Sequence, residues 1–427
     1  MTKPLQVVLF LVAALRVASG PCPTISASLS ADANVYYPNS TEYTLAIERW
    51  LVSSIQQPQC VVEPSSEILP QLILRDVALT LSFQLETVHA TKTPFAVKSG
   101  GHTSNVGFSS TTGVHISLAQ FNYTKLDVST GTVAIGGGTN WISVYTTLDG
   151  TGFNVVGGRN PAVGVGGFTL GGGYSWKTNA HGLALDNLVQ ISIVLPDGTA
   201  TTASAISNQD LFFALKGGFN NFGVITEFTF RAMPQDLVFG GFNNFGVVTE
   251  ITFRAIPQDL VFGGHLVFDV AQLAAVNAAV VAFEQNNTDT RAAVVHGITG
   301  PPAGNGTFAA PVPGVQLFYD GPVLPEGRFS DFFAIPMLTT TWAGPITFLE
   351  WSGTDGGVSG LRGYFHAFST LPHTTEFLQD VTDEVSLFGA MLGNTSAVYL
   401  SVAIEPFLST ALSNNDATFR SSAYPPV

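Results

Sequence analysis

The chain has 427 residues, enough for a large core and two domains, with 45% hydrophobic and only 11% charged residues. Its 44 glycines follow no collagen-like period and stand among aliphatic and aromatic residues, which excludes a disordered or fibrous chain. A net charge of −14 with no basic stripe excludes nucleic acid as a partner.

From the N-terminus, Lys3, the apolar Val7–Leu15 and the small residues Ala18, Ser19 and Gly20 read as a signal peptide over residues 1–20. The run is too short to span a bilayer, and no later stretch reads as a membrane span. Sequons at Asn39, Asn122, Asn286, Asn305 and Asn394 independently suggest a secreted glycoprotein carrying N-glycans. Cys22 and Cys60 are the only cysteines, and in an oxidising compartment they are expected to pair, leaving no thiol for catalysis or metal binding.

A helical stretch is expected around Tyr43–Ile55 and another over 71–90, where Ile73, Val77, Leu81 and Leu85 recur at four-residue spacing after Pro70. Strands are expected at Pro94–Lys98, Val114–Leu118 and Thr132–Ile135. Asn140 or Thr139 would cap a helix through Leu148 whose Trp141, Val144, Tyr145 and Leu148 share one face. Phe153–Val156 leads into the densest glycine region, Gly157–Gly173. Leu188–Leu195 reads as a strand closed by the turn Pro196-Asp197-Gly198, Asn208 as the cap of a helix through Lys216, and Val224–Phe230 as a strand.

Gly217–Phe239 is followed at once by a near copy, Gly240–Phe262, offset by 23 residues. Two copies do not make a solenoid, and a strand duplicated once must find a new sheet edge or loop out. The block reads as a local duplication or a gene-model error, not a functional repeat. From about Gly264 the pattern changes to a second α+β region, with a helix over Thr375–Phe388 and a strand over Ala397–Phe407.

Glycine clusters after strands either turn the backbone tightly or bring bare amides up to a phosphate. Two such clusters, Ser99–His102 and Gly157–Gly173, would suit a pyrophosphate if they converged on one groove. No G-x-G-x-x-G between strand and helix, no P-loop, no G-x-S-x-G and no H-E-x-x-H occurs, which leaves the common dinucleotide fold, serine hydrolase and metal site without support.

The ordered series Lys98-Ser-Gly-Gly-His102, Gly136-Gly-Gly138, Gly157-Gly-Arg159, Val163-Gly-Val-Gly-Gly167, Gly171-Gly-Gly-Tyr174, Gly182-Leu-Ala-Leu-Asp-Asn187 and Asn221-Phe-Gly-Val-Ile-Thr-Glu227 resembles the FAD-binding domain of berberine bridge enzyme-like oxidases, flavoproteins of the vanillyl-alcohol oxidase type. Gly360-Leu-Arg-Gly-Tyr-Phe-His366 and Glu405-Pro-Phe407 resemble secreted fungal members. The resemblance implies an α+β chain: an N-terminal segment over 21–59, a two-subdomain PCMH-type FAD-binding domain over 60–264 that includes the duplication, and a partial substrate domain over 265–427. It also implies that the family continues past residue 427, in the part that commonly supplies the catalytic base, so no base is assigned.

The same resemblance implies the site. His102 would bond covalently to the flavin 8α-methyl. Gly100, Gly101, Thr103 and Ser104 would flank the pyrophosphate, Gly157, Gly158, Gly164, Gly166 and Gly167 would line the second loop, and Val224 would touch the adenine or ring edge. A cysteine that gives some relatives a second link is replaced by Asn160, which implies a single link. His115, His181 and the remaining histidines are read as structural. The expected function is a secreted FAD-dependent oxidase. It would take a hydride from an alcohol, carbohydrate or secondary-metabolite substrate onto flavin N5, with reoxidation by oxygen. The competing readings are an inactive remnant of such an oxidase and, with less support, a secreted glycan-binding module.

Overall fold

A computed structural model describes residues 20–27, 33–64, 90–195, 200–218, 224–229, 248–303, 307–354, 359–367, 372–393 and 395–408, with a few isolated positions besides. The expected signal peptide, nearly all of the helix over 71–90, the turn at Pro196–Gly198 and two sequons, Asn305 and Asn394, lie outside the described residues. Asn39, Asn122 and Asn286 are exposed. Among the described residues no helix is long and apolar enough to cross a membrane.

The first sheet joins β1 (Asn34–Tyr36), β2 (Cys60–Glu63), β3 (Phe95–Lys98) and β4 (Val114–Ser117) in the order β1-β2-β4-β3, with β2 and β3 both parallel to β4. Parallel strands are buried on both faces, which is why β2 is apolar from Cys60 to Val62 and β4 buries its polar His115 and Ser117 as fully as Val114 and Ile116. The expected helix near Tyr43 is short: α1 (Thr41–Ile47), capped by Ser40, followed by a 3₁₀ turn at Val52–Ser54. Cys22 and Cys60 form a buried disulfide that ties the turn at Pro21–Ser26 to β2.

The second sheet is antiparallel and contains β5 (Thr124–Asp127), β6 (Thr132–Gly136), β8 (Leu188–Val194), β10 (Val224–Thr229) and β11 (Val248–Arg254), in the order β10-β8-β11-β6-β5. Between them lie the short β7 (Phe153–Asn154), which pairs with β12 (Ile256–Pro257), and β9 (Ala200–Ser204). Helix α2 (Trp141–Leu148) is capped by the Asn140 side chain, which accepts from the Ser143 amide at 3.1 Å, and it buries Trp141, Val144, Tyr145 and Leu148 as their spacing requires. The short helices that follow include α3 (Val165–Leu170) and α4 (Gln209–Leu215). Asn208 does precede α4, but its side chain does not cap it. The residue sits at φ 49°, and its Nδ2 donates to the Thr202 carbonyl at 2.7 Å.

Both copies of the duplicated block reach the second sheet. Ile225 of β10 and Val248 of β11, equivalent positions in the two copies, both register with Ile193 of β8, and Phe228 and Ile251 both register with Ile191. β11 also pairs with β6, and the first copy ends as the outer strand. The duplicated strand has thus found a new edge.

The third sheet holds β13 (Val261–Phe268), β14 (Ala292–Gly300), β15 (Val312–Tyr319), β16 (Met337–Thr340), β17 (Ala343–Ile346) and β18 (Leu400–Ile404), in the order β16-β13-β15-β14-β18 with β17 also on β13. Helices α5 (Leu273–Asn286) and α6 (Thr375–Leu392) cover one face, where Val276, Val280, Leu378 and Val385 meet Val294 and Leu317. Alternate residues of the same strands, Val295 and Phe318, join Trp176 and Leu185 in the core shared with the second sheet. Replacing Cys22 and Cys60 together by Ser opens a loop with a sequence separation of 38 residues. Chain-entropy arithmetic gives a loss of about 3–4 kcal/mol. Denaturant unfolding of the double variant should show a correspondingly lower stability, with a steeper slope because the denatured chain without the cross-link is more expanded.

Candidate functional site

Three loops meet at the junction of the first two sheets. The first follows β3 and contains Ser99, Gly100, Gly101, His102, Thr103 and Ser104; the second follows β6 at Gly136–Asn140; the third runs from Gly157 to α3. Their contact is main chain on main chain. A methyl group on Gly164 would lie 2.3 Å from the Gly100 nitrogen, and one on Gly100 would lie 2.5 Å from the Gly164 nitrogen. Ser99 Oγ donates to the Gly137 carbonyl at 2.6 Å and accepts from the Gly166 amide at 3.3 Å, so one hydroxyl links all three loops. The Trp141 amide donates to Val163 O and the Val165 amide to Thr139 O, fixing the third loop to the second.

The remaining glycines divide by role. Gly101 adopts φ +71°, the left-handed region that favours glycine. Gly157 and Gly158 are required by packing, since a Cβ on either would come within 2.6 Å of the Trp141 ring, and Tyr145 OH donates to Gly158 O at 2.7 Å. Gly167 lies in the first turn of α3. Val224 opens β10 opposite Val194, in the second sheet. Asn160 accepts from the Ala162 amide at 2.9 Å and so shapes the turn before Val163.

His102 is held differently from a structural histidine. His296 has both ring nitrogens occupied, by Gly314 O at 3.0 Å and Asn277 Oδ1 at 3.1 Å. His102 Nε2 is enclosed with no hydrogen-bond partner among the described residues, and its imidazole instead stacks on the Trp50 indole, with centroids 4.2 Å apart and planes 7° apart. His115 shares an unpartnered Nε2 but is fully buried within β4, and its Nδ1 lies 3.4 Å from Arg49 Nη2. Burial pushes the His102 imidazole down to about 4, against a hydrogen bond with its own backbone that pulls upward. The ring is therefore neutral at physiological pH.

Two buried cations lie beside the loop, in a chain of net charge −14, with Glu48 and Glu63 near enough to favour the charged form of Lys98. Arg49 and Lys98 pack under Gly101, whose added Cβ would lie 2.9 Å from Lys98 Cε and 3.1 Å from Arg49 Cδ. Lys98 Nζ donates to Ala46 O at 2.9 Å and Arg49 Nη1 to Glu48 O at 2.8 Å; neither is ion-paired with a described carboxylate. Burial lowers Arg49 to about 10 and Lys98 to about 8. The amides of Gly100, Gly101, His102 and Thr103 donate to no described residue. Two buried cations beneath free amides fit an anionic group such as a diphosphate. Sequence reasoning missed Arg49 and Trp50, because a lone arginine and tryptophan in a polar segment carry no spacing signal. A separate cleft of about 280 Å³ opens beside Tyr145, Asn154, Gln258 and Phe348, and no residue of the three loops lines it.

Residues 80–204 match the family described as FAD binding domain. Residues 80–204 thus form an FAD-binding domain, and the curated relatives that share it are fungal FAD-linked oxidoreductases and FAD-dependent monooxygenases. It is 32% identical over 317 residues to an uncharacterized FAD-linked oxidoreductase of Arthroderma benhamiae, covering 73% of this chain and 55% of that one. It is 33% identical over 313 residues to an FAD-dependent monooxygenase of Emericella nidulans, covering 72% and 58%. The chain spans between 29% and 58% of the length of the curated relatives it matches. In fold it is similar to the glucooligosaccharide oxidase of Acremonium strictum, with a TM-score of 0.69 at 18% identity over 96% of this chain and 79% of that one. A chitooligosaccharide oxidase aligns with a TM-score of 0.68 at 18% identity, covering 95% and 80%.

Two outcomes follow for this FAD-binding domain. Gly164 has an ordinary φ of −72°, so Gly164→Ala strains no dihedral but must force the first and third loops apart. The variant should lose bound FAD and melt at lower temperature, as read by flavin absorbance and calorimetry. His102, His115 and His296 are all lowered by burial and stay neutral in the fold, while their unfolded counterparts take up protons below about pH 6.5. Stability should therefore fall as pH drops from about 6.5 towards 4, with melting temperatures starting to decline well above the carboxylate range.

Proposed function

We propose that the protein is a secreted FAD-dependent oxidase that holds its cofactor through one covalent bond, from His102. The reading is carried by the convergence of the Ser99–Ser104 loop with the Val163–Gly167 loop, with a neutral imidazole on the first whose Nε2 has no hydrogen-bond partner among the described residues. When bound, FAD supplies a hydride acceptor at N5 and reactivity towards oxygen. The chain supplies the grip. Amides of Gly100, Gly101 and Thr103, with Ser104 beside them, hold the diphosphate over the Arg49 and Lys98 charges. Gly157, Gly158, Gly164, Gly166 and Gly167 would line the opposite wall, and Val224, at the head of β10, would contact the adenine or ring edge. The link is single because Asn160 stands where a cysteine would bond. The A. strictum enzyme, by contrast, carries a 6-S-cysteinyl, 8α-N1-histidyl FAD.

The third sheet, reached over 265–427, is the proposed substrate domain, and 60–264 the cofactor domain. The partners proposed are oxygen and a small-molecule substrate, an alcohol, carbohydrate or secondary-metabolite scaffold. Secretion, with N-glycans on the five sequons, is supported by the Cys22–Cys60 disulfide and by the exposure of Asn39, Asn122 and Asn286. Purified protein should be yellow and keep its flavin colour through acid precipitation, and His102→Ala should release all its flavin under the same treatment. Well-folded wild-type protein that is colourless after expression with added FAD would sink the proposal.

A further inference from the structure

The His102 imidazole has a hydrogen bond with its own backbone, and no described residue bonds its Nε2. We infer that Trp50 is the positioning residue for that imidazole, an indole plate that fixes the ring plane and so sets the rate at which the covalent bond forms. The inference rests on the reading of His102 as the covalent anchor.

The contact is nearly parallel, 4.2 Å between centroids and 7° between planes, so the imidazole cannot swing about its side-chain torsions without leaving the indole face. The plate is itself clamped. The Trp50 amide donates to Gly101 O at 3.1 Å, one residue before His102, and Trp50 O accepts from the Gly360 amide at 2.9 Å. Phe365 meets the indole edge-on at 6.1 Å, and Ser104 Oγ donates to Phe365 O at 3.1 Å. The segment from Gly360 to Phe365 thus straps the indole to the loop that carries His102. It is held further by Val52 N donating to Leu361 O and by Ser53 Oγ donating to Gly363 O.

Bond formation exchanges the imidazole N–H and one methyl C–H for one N–C bond. The two protons and two electrons released pass to dioxygen, giving hydrogen peroxide. The protein's part is to present a neutral nitrogen at fixed orientation, and loss of orientation alone slows such a step by orders of magnitude.

The test compares Trp50→Leu, which keeps bulk without a ring face, with Trp50→Phe, which keeps a face. Full-length protein produced without flavin is mixed with FAD. Total bound flavin is read by native absorbance and covalent flavin by fluorescence of the acid precipitate over time. Trp50→Leu should bind FAD in the native state yet form acid-stable flavin at least about 10-fold more slowly, with Trp50→Phe restored to within about 3-fold of wild type. Wild-type rates in a flavin-loaded Trp50→Leu protein overturn the role of Trp50, as does a Trp50→Phe protein no faster than Trp50→Leu. If Trp50→Leu fails to fold, a folded Trp50→Phe slowed 10-fold or more also overturns it. Wild-type protein that holds FAD but releases all of it in acid overturns the covalent anchor instead, a result visible before either variant is measured.

Discussion

The approach of Gly100 to Gly164 is the constraint on which the site depends. Two backbones that close leave no volume for a Cβ on either side, and the contact joins the loop after β3 of the first sheet to the loop that runs from β7 into α3. Once it forms, Ser99 reaches both Gly137 and Gly166, and the amides from Gly100 to Thr103 are left without acceptors among the described residues, beside the buried His102 imidazole. The lack of side chains is thus structural at Gly157 and Gly158, where Trp141 fills the space, and steric at Gly100 and Gly164, where the partner is main chain.

Buried charge explains how the third sheet is joined to this frame. Lys177, fully buried, is paired with Asp320 just beyond β15, and Gln258 Nε2 donates to the other oxygen of that carboxylate at 3.1 Å. Arg159, next to the third loop, is paired with Glu405 just beyond β18, and its guanidinium lies 4.7 Å from the Tyr174 ring centroid. Desolvation lowers Lys177, and Asp320 opposes that shift. Breaking such a pair strands a charge in a poorly hydrated interface, so both fix the relative placement of the sheets more than they add net stability. Trp176, Phe318 and Trp351 pack between them, with centroids 5.2–6.1 Å apart.

The duplicated block shows how a sheet absorbs an extra strand. Positions 23 residues apart register with the same residues of β8, because identical alternation selects identical register. The second copy takes the inner place between β8 and β6, and the first takes the edge.

Local pattern alone determined much here. The apolar face of α2, a cap at Thr139 or Asn140, the strands before each glycine cluster and the ordered glycine motifs were all legible, because helix period, capping chemistry and the need for bare backbone are written in adjacent residues; the structure chose Asn140. The positions of Gly100, Gly164 and His102 in the motif could be read; their convergence could not. Asn208 shows the limit at short range, where a nearby carbonyl outcompeted the helix amides for its side chain. The tertiary structure decided what lies far apart in sequence: the Trp50 plate on His102, the Arg49 and Lys98 charges under Gly101, and the Arg159–Glu405 pair across 246 residues. Such contacts depend on which surfaces the folded sheets bring face to face, and no periodicity along the chain encodes that.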